Sequence, residues 1–265
     1  MNQFIRVIPI LLVVAWVDPL FAQTRKQIQP LEDKSLSVAE YEKLGMPSIE
    51  KKWQLNDYKK AVDVLTQLKS TPERLPRFQS KTSGPVFAKF LDIRGIEEFI
   101  AQSSHETIDQ MVISMEVVQC LKGFGMIYAR AAWPKHSLTV EQIELQEPVM
   151  ILLVKAQASS KKYFEALDQS DAEYPAKKQS YASMQRGFGI IVTGMIIMLT
   201  DRAFVTPESR IRQAEIMHKY VPDVLNLLTD DQRADYRNRL HKLAGSEQDT
   251  HVKKLLDQIV LKVKP

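Results

Sequence analysis

The chain has 265 residues, 45% of them hydrophobic, and its 36 Lys and Arg against 32 Asp and Glu give a formal net charge of +4. That length suits one large domain or two small ones and allows a proper hydrophobic core. The positive charge is mild and lies in the pairs Lys161-Lys162, Lys177-Lys178 and Lys253-Lys254 with acidic residues close by, a solvated helical surface that offers no footprint for nucleic acid.

In chain order, residues 1–22 read as a secretory signal peptide. Arg6 supplies the positive start, Val7 to Val17 the apolar core and Ala22 the small residue at the cut, although Asp18 and Pro19 interrupt the run. The core falls short of the ~20 apolar residues of a spanning helix, and the absence of a following cysteine argues against a lipoprotein. The expected location is therefore exported, periplasmic or extracellular.

Residues 23–50 form a polar lead-in, expected to be flexible, in which Ser37-Val-Ala-Glu40 has capping-box spacing and opens a short helix ending near Gly45-Met46-Pro47. Residues 51–265 are expected as a single all-helical domain. Asn56 is the expected N-cap of a helix carrying Tyr58, Ala61, Val62, Leu65 and Leu68, which Pro72 stops. Ser70 to Pro85 is a Pro-rich loop, read first as an ordered connector and second as a binding loop using Lys81, Ser83 and Pro85. Val86 to Ile100 resumes in two short helical pieces broken at Gly95, with a strand over Val86–Leu91 as the rival.

His105 to Ala132 is the first long helix. Thr139 to Leu167 is the next, with Pro148 kinking it, and Ser170 to Gln179 is a polar loop. Thr206-Pro207-Glu208 starts a helix that runs to Pro222. Thr229-Asp-Asp-Gln232 is a capping box for a helix closed by Gly245, and Ser246 caps the last helix, whose stripe is Val252, Leu255, Leu256, Ile259, Val260 and Val263. No confident strand emerges, so the fold class is all-α, a multi-helix bundle.

One repeat stands out. Lys122-Gly123-Phe124-Gly125-Met126-Ile127 recurs 64 residues later as Arg186-Gly187-Phe188-Gly189-Ile190-Ile191, in a chain with only 9 Gly and 10 Phe. Glycine inside a helix costs about 1 kcal/mol relative to alanine, so four of them need an offsetting gain. The expectation is a diverged duplication of two helical hairpins, 105–167 and 179–228, crossing at their glycines with Phe124 and Phe188 wedged beside the contact. The run Phe188 to Leu199 is too short for a span and suits a helix buried on all sides. Gly187-Phe-Gly189 lacks a third glycine and a preceding strand, so it is no dinucleotide loop.

The constellation with the most chemistry is Glu215-Ile-Met-His218, because Glu-x-x-His on one helix face is what helix-bundle dimetal sites use. Only one copy is present, with Glu116, either Glu144 or Glu147, and Glu165 as further carboxylates and His105 and His136 outside the pattern. Glu215 pairing with Arg212 or Lys219 is the plainer reading. Glu247 and His251, one turn apart, read as surface. The methionines read as core, and so does the single cysteine, Cys120, which excludes an intramolecular disulfide. The functional expectation is an exported helical binding or interaction protein of the cell envelope, taking a protein, small-molecule or lipid partner that the sequence does not name, with no cofactor indicated. The alternatives are a metal-dependent bundle enzyme using Glu215 and His218, and a membrane-active protein using Phe188 to Leu199.

Overall fold

A computed structural model describes residues 33–102, 107–132, 138–201 and 204–264; the signal-peptide reading of residues 1–22 lies outside them, as do His105 and His136. The described residues are helical, with α1 (Val38–Lys43), α2 (Leu55–Gln67), α3 (Gly84–Leu91), α4 (Arg94–Gln102), α5 (Thr107–Ala132), α6 (Val140–Glu144), α7 (Gln146–Glu165), α8 (Tyr174–Asp201), α9 (Pro207–Asn226), α10 (Asp230–Ser246) and α11 (Thr250–Lys262). Extended pairing among them is an isolated parallel bridge, Leu138 to Phe204. The all-α multi-helix class therefore holds. The chain divides into two compact units, one of residues 23–152 and 204–209, the other including 153–203 and 210–265.

In the first unit the described part of the lead-in, from residue 33 on, is built in. Ser37 and Glu40 form the capping box of α1, Tyr41 is fully buried, and Leu36 and Met46 are nearly so. The turn after α1 passes through Gly45 at φ 96°, a left-handed conformation that glycine adopts without a Cβ penalty. α2 packs along α5. Its N-cap is Gln54, two residues before Asn56, because the Gln54 N–H donates to the Asp57 carboxylate at 3.0 Å. The core is aromatic: Trp53, Tyr58, Phe87, Phe90, Phe124 and Tyr128 have no exposed surface, and Phe124 packs against Phe90 with ring centroids 4.5 Å apart. The polar tips of these rings satisfy main-chain oxygens of irregular segments that no helix ladder serves. Trp53 donates to Ser48 O at 3.0 Å, Tyr58 to Asp92 O at 2.8 Å and Tyr41 to Arg74 O at 2.6 Å.

Two expectations about glycine and proline change here. Val86–Leu91 is helix, and the break between α3 and α4 falls at Asp92-Ile93, while Gly95 lies inside α4. The glycine serves a close approach: a Cβ there would stand 2.4 Å from Trp53 O. Pro148 does not kink a long helix, since α6 ends at Glu144 and Pro148 is the third residue of α7, where its missing N–H has no intrahelical acceptor to lose.

In the second unit Pro175 likewise opens α8 in place of the expected loop, and Pro222 fails to end α9, which runs on to Asn226. Proline there forfeits the bond to the His218 carbonyl, about 3 kcal/mol in an exposed helix; burial of Val221, Val224 and Leu225 carries the helix past it. Side chains meet carbonyls at the end of α9 and just beyond it, Gln157 Nε2 to Val224 O at 3.1 Å and Gln185 Nε2 to Leu227 O at 3.2 Å. Thr229 caps α10 as expected, but α11 is capped by Asp249, whose carboxylate accepts from His251 N (2.9 Å) and Val252 N (3.0 Å), and Ser246 belongs to the end of α10.

Candidate functional site

The Pro-rich loop is fastened along its length. Tyr128 Oη donates to Pro76 O at 2.5 Å, Phe78 N donates to Glu141 Oε1 at 3.2 Å, and Arg77 lies 3.7 Å from the Glu141 carboxylate. Ser83 is fully buried; its hydroxyl donates to Ser35 Oγ at 2.8 Å and accepts from Arg77 N at 2.9 Å. Both of its hydrogen-bonding roles are thereby used inside the fold. Lys81 and Pro85 are exposed, and Pro85 sits in the first turn of α3. The loop is an ordered connector, and of its three named residues Ser83 is part of the fastening.

The Glu215–His218 pair faces partners of another kind than a metal. Glu215 is 3.8 Å from Arg212, and His218 Nε2 accepts from Lys262 Nζ at 2.9 Å. Partial burial, with the Lys262 ammonium second, pushes the His218 imidazole below its usual value, favouring the neutral ring. Glu116 pairs with Lys59 at 2.8 Å and Glu165 with Lys161 at 3.8 Å. Among the described residues no group of three or more His, Cys, Asp or Glu side chains is placed to hold a metal ion. Glu247 accepts two hydrogen bonds from Arg210, at 2.9 and 2.5 Å, and Arg210 also donates to Leu199 O at 3.0 Å. That clamp ties the ends of α8 and α9 to the α10–α11 linker. Cys120 is buried, and desolvation pushes its thiol up to about 11, so it stays protonated at neutral pH.

The repeated glycines lie one set in each unit, within α5 and α8. Gly125, Gly187 and Gly189 are buried, as are Phe124 and Phe188. Side chains occupy the space beside two of the glycines: Val62 of α2 is 3.6 Å from where a Cβ on Gly123 would sit, and Tyr236 Oη of α10 is 2.7 Å from that of Gly189. The apolar run of α8 is not enclosed on every side, since Ile190 is 38% exposed. Among the described residues, two helical stretches, Ile108–Ala132 and Tyr174–Thr200, are long and apolar enough by composition to cross a membrane, and 61% and 56% of their most apolar windows are buried.

A feature without a sequence motif is the tip of the α7–α8 hairpin. Residues 161–184 contain no buried side chain, yet the tip is ordered. Phe164 stacks on Tyr181 with centroids 4.6 Å apart and planes within 5°, and on Tyr174 at 5.6 Å and 26°. Lys177 bridges Asp171 (2.7 Å) and Glu173 (3.4 Å), and Asp168 accepts from Ser170 N at 2.8 Å. Tyr174 and Tyr181, two turns apart on α8, were the available signal; their partner Phe164 lies on another helix and gives none.

No family model, no curated protein and no solved structure matches this chain.

Proposed function

We propose that the protein is an exported helical binding protein of the cell envelope, and that the α7–α8 tip is its partner-facing surface. The observation that carries this reading is the ordering of residues 161–184 without any contribution to the core. Ordering a residue costs roughly 1–2 kcal/mol of backbone entropy, and here ring stacking and ion pairs offset it in place of burial. The half-buried aromatics Phe164, Tyr174 and Tyr181 give such a tip the residue type that anchors protein interfaces. Export rests on the residue pattern of positions 1–22. The test is the mature protein taken from the exported fraction and weighed by native mass spectrometry. A chain beginning at Gln23 with a bound partner, lost in a Phe164→Ala, Tyr181→Ala variant of unchanged helicity, supports the reading; an uncut chain, or a partner retained by that variant, counts against it.

A second reading is favoured by one observation, the partly exposed apolar face of α8. A membrane-active protein would bind liposomes and lose that binding with Ile190→Asp, a substitution that the exposed position tolerates without unfolding.

A further inference from the structure

The first part of α10 is attached to its unit by little apolar surface. From Asp230 to Arg239 no side chain is buried, and the segment's apolar side chains are the exposed Ala234 and the half-buried Tyr236. Anchoring begins beyond it, where Leu240, Leu243 and Ala244 are buried and α10 packs along α11. Arg233 ties the segment to main-chain oxygens at Leu228 (3.3 Å) and Lys264 (3.1 Å). Tyr236 ties it to α8. Its ring lies on the bare backbone of Gly189, with Oη, Cε2 and Cζ at 2.7, 3.0 and 3.1 Å from where a Cβ would be, and its hydroxyl is 3.0 Å from Thr193 Oγ1.

Segments with few buried apolar contacts open at a lower free energy than the whole fold. We propose that Asp230–Arg239 is a lid that opens as a unit about Leu240 while the rest of its unit stays folded, uncovering the face of α8 at Gly189 and Thr193 on which Tyr236 rests. Gly189 then has a purpose that its helix alone does not supply. The missing side chain leaves the shallow floor on which the Tyr236 ring closes. The lid stands on this geometry and is independent of the function proposed above.

Hydrogen exchange of the intact protein, read by mass spectrometry, tests it. Amides of residues 234–239 are expected to exchange at least tenfold faster than those of Val192–Leu199 in α8. Tyr236→Ala is expected to speed them a further tenfold and leave α8 beyond Thr193 unchanged, and Tyr236→Phe, which keeps the ring and loses the hydroxyl, about threefold. Equal protection of both segments in the wild type would overturn the lid, as would a Tyr236→Ala effect spread evenly over all helices. Failure of Tyr236→Ala to fold would overturn it too, because a lid contact is dispensable for the fold.

Discussion

Alanine at the repeated glycines separates two uses of the same residue. Gly123 lies in the interior of α5 with the nearest Val62 methyls at 3.6 and 3.8 Å from the site of a Cβ, ordinary van der Waals separations. Gly123→Ala therefore recovers the helix propensity and meets no obstacle, a gain of about 1 kcal/mol, or roughly 2–4 °C in Tm for a domain of this size. At Gly189 the same gain is opposed. A Cβ 2.7 Å from Tyr236 Oη displaces the ring and breaks its contact with Thr193, forfeiting about 1 kcal/mol of hydrogen bonding along with ring packing. Gly189→Ala is expected to be neutral to destabilising by about 1 kcal/mol. In a Tyr236→Ala background it becomes stabilising, a coupling of at least ~1 kcal/mol. Thermal and urea unfolding of the four variants measure this. A destabilising Gly123→Ala would refute the reasoning, because it would mean that helix backbone, and not a yielding side chain, fills the space beside Gly123.

Gly95→Ala forces a methyl to 2.4 Å from the Trp53 carbonyl, and since backbone must move it is expected to cost about 1–3 kcal/mol, read as a fall in urea midpoint. Glu247→Ala leaves the Arg210 guanidinium without its carboxylate at a largely buried site, a loss of about 3–5 kcal/mol. Burial alone would raise the Glu247 carboxyl, but the hydrogen bonds from Arg210 and Asp249 N outweigh it and hold it below its ordinary 4.5. Its contribution is full above that value and is lost as pH falls through the folded value, so the acid unfolding of Glu247→Gln is expected to be shallower than that of wild type. His218 has the same sign for the opposite charge type: its folded value lies below the ordinary 6.5, so the unfolded chain takes up the proton first and stability declines as pH falls below 6.5. Lys262→Met is expected to raise the His218 titration midpoint in an NMR titration. Ser83→Ala is expected to cost about 1–2 kcal/mol through the two lost hydrogen bonds, whereas Lys81→Ala at its exposed position changes stability by less than about 0.5 kcal/mol.

The helical class was legible because it is written in local patterns. Capping boxes at Ser37 and Thr229 and the apolar stripe of α11 announce themselves within a few residues. Prolines were harder, because Pro148 and Pro175 in a first turn look like Pro222 in an interior; which role each takes depends on where the helix before it ends. Ser246 and Asp249 competed for one cap, and the Arg210–Glu247 clamp, formed across 37 residues, fixes the linker so that Asp249 wins. Partners distant in sequence explain the glycines as well, Trp53 for Gly95 and Tyr236 for Gly189. The tip was missed for the same reason, since its order comes from a ring stack between two helices.

The most direct test of the proposed binding role is photocrosslinking in the exporting cell, with a photoreactive residue placed at Lys162 or Lys178 on the tip, or at Lys52 in the first unit. The proposal expects one discrete adduct from both tip positions and none from Lys52. Adducts of equal yield from all three positions, or an adduct from Lys52 alone, would contradict it.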